Sequence, residues 1–470
     1  MTGKILKLNH WEDGKSIGLA KEAGNKMIAS GMDRDAALAK LEAVRQNPGS
    51  FLADTLLADL AREILSKNKK DESAEENLRD LPLPFPIWGA DNIDPEAIRQ
   101  MENSMRLPVT VTGALMPDAH VGYGLPIGGV LATDNVVIPY AVGVDIACRM
   151  RLSLYEVSPI LIGQKKGMFE ESLWNETAFG MGAAWKGNKR AQHEVLDDDA
   201  WSATRLLKTL QDAAYSQLGT SGTGNHFVEW GSFRLHEPMF GLKPGEYLAL
   251  LSHSGSRGVG FKIADRYSKL AMEKHPDLDK SVRHLAWLPL DSEDGQEYWL
   301  SMELAGRFAS ANHYIIHKRV AAAIGLKEVA VVENHHNFAW REKLSDGREV
   351  IVHRKGATPA GVGVLGVIPG SMGDAGYVVR GRGVSKSLKS ASHGAGRRMS
   401  RKAAINSISK RERDEYLKER GITLLGGGLD ESPQAYKAID EVITAQHDLV
   451  DVIGKFTPKV VRMADEPGDI

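Results

Sequence analysis

The sequence predicts an α+β fold over most of its length, and three observations carry that expectation. Apolar, β-branched runs and long helical patterns are mixed without the regular spacing of a doubly wound parallel sheet. Glycine repeatedly breaks the strand-like runs, which favours short strands joined by turns. A hydrophobic content of 42% beside 26% charged residues supplies a sizeable core, while no apolar run approaches the roughly 18 residues of a membrane span.

Residues 1–66 read as a small helical extension. Leu52, Leu56, Leu60 and Ile64 recur every four residues on one face, with Leu57 and Leu65 beside them. Asp33 is expected to cap a helix carrying Leu38, Leu41 and Val44. Residues 67–86 read as a linker: SKNKKDESAEENLRD, Ser66–Asp80, is charged and poor in apolar residues, and LPLPFP, Leu81–Pro86, ends it as a stiff extended piece.

From residue 87 to 470 the chain reads as one large domain. A short helix is expected at Pro95–Met105, then strand-like runs at Pro108–Met116, Gly129–Ala147 and Met150–Val157. Helices are expected at Ala203–Gln217, Phe261–Lys274 and Gln296–Ala323. Further strands are expected at Glu246–Ser252, Lys327–Val332, Arg348–His353, Gly363–Ile368 and Gly376–Arg380. Arg397–Arg420 and Pro433–Val452 read as closing helices.

The formal net charge is −2, so any affinity for nucleic acid must come from a local patch. One such patch is Arg380–Lys402, which holds eight Lys or Arg and no acid. The single cysteine, Cys148, excludes an intramolecular disulfide and fits a reducing compartment. With no signal peptide or membrane span in the pattern, the expected location is the cytoplasm.

Several segments at strand ends, most of them glycine-bearing, carry metal-type residues: MPDAHVGYGLPIGG, GVDIAC, GTSGTGNHFVEWG, SHSGSRG, ENHHNFA, HRKGAT, PGSMG and SASHGAGRRMSRK. Asp145 and Cys148, three residues apart after an apolar run, can face one cavity. With His226, His253 and His336 they supply enough ligands for one crowded or two adjacent divalent cations. The thiolate favours a softer metal than magnesium. His120, His335 and His353 read as supporting partners or RNA contacts. Asn225, Glu229, Ser371 and the Gly394–Gly396 backbone suit a nucleotide, because amides and carboxylates bond base and ribose while N–H nests hold phosphate. Arg257, Arg354, Lys355 and Arg397 are candidate phosphate contacts. His393, opening a Gly-Ala-Gly turn, can act as a nucleophile or an acid/base.

PDAHVGYGLPIGG, GVDIAC, GTGNHFVE, HSGSRG, HHN, RKGA, PGSMG and SHGAGRRMSR, in this order, resemble the RtcB family of RNA ligases. The resemblance runs from Ile87 to Val461 and leaves the N-terminal extension outside it. It implies a catalytic domain with mixed sheets around a metal and nucleotide cleft. It also implies ligation of RNA 3′-phosphate or 2′,3′-cyclic phosphate ends to 5′-hydroxyl ends, in RNA repair or tRNA splicing. The implied metal ligands are Asp145, Cys148, His226, His253 and His336, with Cys148 bridging two manganese ions. The implied nucleotidylated residue is His393, charged from GTP. The implied nucleotide contacts are Asn225, His226, Phe227, Val228 and Glu229, then His336 and Asn337. They continue through Pro369, Gly370, Ser371, Met372, His393, Gly394, Ala395, Gly396 and Tyr436. Archease is an implied activating partner.

The chain departs from the family pattern at three points. Ala464 stands where the family has a base-contacting lysine, and Gly376 where it has a base-contacting serine. Arg149 follows Cys148 where glycine is usual, and is expected to meet a phosphate or rearrange the metal mouth. Two other readings fit the same residues: a metal-dependent RNA-end phosphodiesterase or phosphatase without ligation, and a non-enzymatic RNA-end binding module.

Overall fold

In the computed structural model, residues 1–9, 11, 15–65 and 77–465 are described. They divide into two compact units, Met1–Leu78 and Arg79–Ile470. Residues 67–76, the first half of the expected linker, lie outside the described residues.

The first unit is helical. Asp33 accepts hydrogen bonds from the N–H groups of Asp35 and Ala36 and so caps the helix Arg34–Gln46. Leu41 and Val44 from that helix pack with Ala20, Met27, Leu57, Leu60 and Ile64. The four-residue face starts later than expected. Leu52 lies in a turn and is 42% exposed, and the last helix begins only at residue 58.

In the second unit the α+β expectation holds, with strands β1 (Thr110–His120), β2 (Ile127–Thr133), β3 (Val136–Val137) and β4 (Arg149–Tyr155) coming first. Next are β5 (Phe227–Leu235), β6 (Gly245–Ser254), β7 (Leu288–Pro289), β8 (Ala330–His335), β9 (Asn337–Lys343) and β10 (Glu349–Lys355). The last are β11 (Ala357–Pro359), β12 (Leu365–Ile368), β13 (Gly376–Gly381), β14 (Ser390–Ser392), β15 (Thr423–Leu425) and β16 (Val450–Met463). The large sheet runs β12-β13-β16-β5-β6-β4-β8, with β15 also pairing β16; a second sheet runs β1-β2-β10-β9.

Both faces of the large sheet are covered, which the period-2 alternation along each strand makes possible. Phe227 and Phe233 of β5 with Ala249 and Leu251 of β6 enter one core. Val228, Trp230, Leu248 and Leu250 enter another, against Ile316 and Val320 of the long helix Glu293–Ala323. Among the described residues, no helix is long and apolar enough to cross a membrane.

Three expected elements resolve differently. Gly129–Ala147 is not one strand: β2 ends at Thr133, and a short helix, Pro139–Val142, precedes a loop with positive φ at Gly143 and Ala147. Arg397–Arg420 splits into helices Arg401–Ser407 and Lys410–Glu419, because Ser409 and Glu412 form a capping box that starts the second. Pro433–Val452 keeps a single 3-10 turn, Pro433–Ala435, and a short helix, Ile439–Ala445, and gives way to β16. Pro458 is tolerated inside β16 because the register with β5 shifts there. Strands β5, β7, β9, β11, β14 and β15 are additions to the sequence reading.

Candidate functional site

Sheet topology gathers the metal-type residues at one edge. Strand β4 is antiparallel to both β6 and β8, and its first residue, Arg149, pairs with Ser254 and His335. Cys148, one residue earlier, therefore lies beside His253 near the end of β6 and His336 just after β8. Phe227 of β5 pairs with His253, which brings His226 to the same edge. Asp145 arrives from the loop before β4.

The donor atoms converge. Cys148 Sγ is 3.1 Å from His253 Nε2 and 3.4 Å from His226 Nε2. His226 Nε2 is 3.0 Å from Asp145 Oδ2, and His253 Nε2 is 3.2 Å from His336 Nε2. Gly255 is required here, since a Cβ at that position would collide with the Asp145 carboxylate. The loop is bracketed by Asn337, whose Nδ2 donates to Asp145 O at 3.1 Å while its Oδ1 accepts from Gly356 N at 2.9 Å.

The electrostatics match a metal centre. Burial, with His226 next, pushes the His253 imidazole down to about 3, and burial holds His336 well below its ordinary value. These rings are neutral, with lone pairs available to a cation. His253 Nδ1 lies 2.9 Å from Asn225 O, which fixes that nitrogen as donor and leaves Nε2 to the cluster. Burial and then Asp145 push the Cys148 thiol well above its usual range. Burial pushes the Asp145 carboxyl up, but the bond and charge of His226, with the Cys148 bond and the Arg257 charge, together hold it below the carboxylate norm. His226 Nδ1 and His336 Nδ1 have no hydrogen-bond partner. Three imidazoles, a thiol and a carboxylate in this arrangement fit a divalent cation, with Cys148, His226 and His253 forming its tightest group.

His393 stands at the end of β14, against this cluster. Its ring centroid is 4.7 Å from that of His336. The residue that positions it is Asp118 of β1, missed at the sequence level although it lies within the MPDAH segment. Asp118 Oδ2 is 2.7 Å from His393 Nδ1 and accepts from the N–H of His393 at 3.0 Å and of Gly394 at 3.3 Å. Gly396, at φ +74°, lets the turn approach so closely that a Cβ would strike Asp118 O. His120 Nδ1 lies 2.9 Å from Asp118 O, and its burial lowers it to about 4.

The expected nucleotide contacts divide. Glu229 is buried with Oε2 unpartnered, and burial raises its carboxyl well above the ordinary value. Phe227 and Met372 are core residues on the same side of the sheet, whereas Val228 faces the opposite core. Ser371 and Asp374 hydrogen-bond within the loop that begins at Pro369 and Gly370, and Ala395 is buried. Tyr436 donates to Glu431 and lies under Arg397, whose guanidinium is 5.1 Å from the ring centroid.

Part of the basic run is neutralised by buried acids. Arg397 and Arg401 pair with Glu431, and Arg401 also with Asp430, both acids buried. Arg257 lies near Asp145, with Nε donating to Thr220 Oγ1 at 3.1 Å and Nη2 donating to Gly180 O at 2.7 Å. Arg354 is 1% exposed and spends its donors on Glu342, Ser390 and Leu388 O. Lys355 is buried, donates to Tyr123 O, and is brought down to about 7 by that burial. Arg149 points away from the metal mouth, bonded to Glu333 at 3.0 Å and 2.6 Å from His335 Nδ1. His353 is fixed inside the smaller sheet, accepting from Ile138 N at 2.9 Å. A cavity of about 1310 Å³ is lined by Lys410, Lys418 and Lys459 among others and by none of the candidate site residues.

Residues 100–464 match the family described as tRNA-splicing ligase RtcB. The chain is 32% identical to the RNA-splicing ligase RtcB of Escherichia coli, covering 79% of this chain and 95% of that protein. It is 32% identical to the tRNA-splicing ligase RtcB of Nanoarchaeum equitans, over 81% and 95% of the two chains. Identity to the RNA-splicing ligase RtcB of Mycobacterium bovis is 34%, over 74% and 95%. With the family match spanning most of the second unit and the same cluster-bearing segments, this chain belongs to the RtcB family.

Proposed function

We propose that this protein is a manganese- and GTP-dependent RNA ligase that joins 3′-phosphate or 2′,3′-cyclic phosphate ends to 5′-hydroxyl ends. The observation that carries the reading is the placement of His393, oriented by Asp118, against a buried cluster of metal-type donors. Asp145, Cys148, His226, His253 and His336 would hold the metal, which when bound supplies Lewis acidity toward phosphate oxygens.

With Nδ1–H donated to Asp118, His393 keeps the Nε2 lone pair for attack on the α-phosphorus of GTP. A P–N bond forms and the bond to pyrophosphate breaks. An RNA 3′-phosphate oxygen then takes the GMP group from His393, breaking the P–N bond and giving RNA-(3′)pp(5′)G. A cyclic phosphate end must first add water to become such a 3′-phosphate. Finally the 5′-hydroxyl attacks the RNA phosphate, its proton leaves, and GMP departs. Glu229 and Tyr436 are the side chains proposed to meet the nucleotide, and Lys355 and Arg257 the phosphates. Archease is proposed as an activator.

The test is α-labelled GTP with manganese. A covalent adduct on the wild type that is absent from His393→Ala is expected. Absence of any adduct from GTP or ATP on the wild type overturns the reading.

A further inference from the structure

Tyr123 is an exposed aromatic that folding alone does not account for. It lies in the loop between β1 and β2 and is 65% exposed, and its neighbour Val121 is 45% exposed. Both sit on one connecting loop, the kind of segment on which binding residues concentrate.

The loop is held rigidly. Gln100 donates to Gly122 O at 2.6 Å and accepts from Gly122 N at 3.0 Å. Lys355 Nζ donates to the carbonyl of Tyr123 itself. The ring is buttressed edge-on by His284, with centroids 6.0 Å apart, and His284 meets Tyr140 in the same manner at 5.0 Å. An aromatic fixed in this way loses little conformational freedom when something stacks on it.

Its position relative to the reacting histidine is set by two short links. Lys355, which holds the Tyr123 carbonyl, immediately precedes Gly356. At φ +60°, Gly356 is packed so closely that a Cβ would touch Ile127 on one side and His393 Cε1, 3.1 Å away, on the other. Ile127 ends the Tyr123 loop. The loop and the nucleophile are therefore linked through Gly356, and Lys355, the residue before it, reaches the Tyr123 carbonyl.

We propose that Tyr123 is a stacking platform for the base of the RNA nucleotide that carries the 3′-phosphate, with Lys355 beside it for the phosphate. The inference rests on the ligase reading for the identity of the RNA end. Every base presents a π-face, so such a platform holds an RNA end without demanding a sequence, and the extra negative charge of a terminal phosphate complements the lysine. Tyr123 would be a positioning residue: it aligns the RNA end and takes no part in bond changes.

The experiment uses the full chain without nucleotide, so that it does not depend on the His393 adduct. A short RNA with 2-aminopurine at the 3′-phosphorylated terminus is titrated into wild type, Tyr123→Ala and Tyr123→Trp. Quenching on binding is expected for wild type and the tryptophan variant. Affinity roughly tenfold to a hundredfold weaker, with little quenching, is expected for alanine. An RNA whose terminal nucleotide is abasic should bind wild type as weakly as Tyr123→Ala binds normal RNA, and the two losses should not add. Equal affinity of wild type and Tyr123→Ala for the normal RNA, or additive losses, overturns the proposal. Failure of GTP labelling with quenching intact would instead count against the ligase reading alone.

Discussion

Asp118 Oδ2 lies 2.7 Å from His393 Nδ1 and accepts the backbone N–H of the same residue at 3.0 Å. One carboxylate oxygen thereby fixes both the main chain and the ring of His393. The Asp118 side chain is fully buried, and its other oxygen has no hydrogen-bond partner, so the carboxylate is committed to this turn. Removing it frees the imidazole to rotate and to take the wrong tautomer. Asp118→Ala should slow the formation of the His393 nucleotide adduct about ten- to a hundredfold, the usual cost of losing a residue that orients a ligand or nucleophile. Metal content should be unchanged. Single-turnover labelling with α-labelled GTP checks this, and a wild-type rate in the variant would show that Asp118 does not orient the ring.

Cys148 makes a second prediction through its protonation. Burial and the neighbouring Asp145 raise the thiol well above its ordinary value, so the metal-free protein carries it protonated at neutral pH. Only the thiolate ligates, so loading a cation must release that proton, and affinity should rise with pH. Cobalt titration should give a thiolate charge-transfer band that is absent from Cys148→Ser. Affinity should be weaker near about pH 6 than near about pH 8. Cobalt bound by the wild type without that band would exclude Cys148 from the ligand set.

Arg149 separates a structural from a catalytic role. Its side chain is 8% exposed and pairs with Glu333 at 3.0 Å, while Glu333 also keeps Arg151 at 2.8 Å and Ser310 at 2.7 Å. Because Glu333 retains these partners, Arg149→Gly leaves no bare buried charge. The loss should be about 1–3 kcal/mol of stability, read from urea unfolding. GTP labelling per folded molecule should not change. A stable variant that fails to label would return Arg149 to the reaction.

Much of the site was legible in the sequence, because each donor follows or interrupts a strand-like run. Asp145, Cys148, His226 and His253 do so near glycine, His336 in a His-His-Asn run without one, and antiparallel pairing then gathers them. Asp118 was hidden because its partner lies 275 residues away and nothing local distinguishes it from a turn acid. The apparent basic patch was misleading for a related reason. Asp430 and Glu431, about thirty residues beyond Arg397 and Arg401, neutralise those arginines only after folding. Strand β16 was obscured by Gly454 and Pro458, residues that weaken a strand pattern locally but are accommodated by bulged pairing with β13 and β5. Arg354 read as a candidate phosphate contact, yet its ion pair with Glu342 and its stack on Trp340 are tertiary contacts that no window of sequence contains.

Glu229 yields a prediction whose sign is opposite to that of most carboxylates. It is 4% exposed on β5, one of its oxygens has no partner, and burial raises its carboxyl well above the ordinary value. The folded chain therefore binds this proton more tightly than the unfolded chain does. Its stabilising contribution is complete below the unfolded value, near about 4.3, and is lost as pH rises toward the folded value. Glu229→Gln cannot ionise, so it does not suffer that loss. The melting temperature of Glu229→Gln relative to wild type should therefore climb between about pH 5 and about pH 8, whatever fixed offset the amide introduces. Thermal unfolding of both proteins across that range measures it. A difference that stays constant with pH would mean that Glu229 is ionised in the folded chain, and that a cation or donor reaches it.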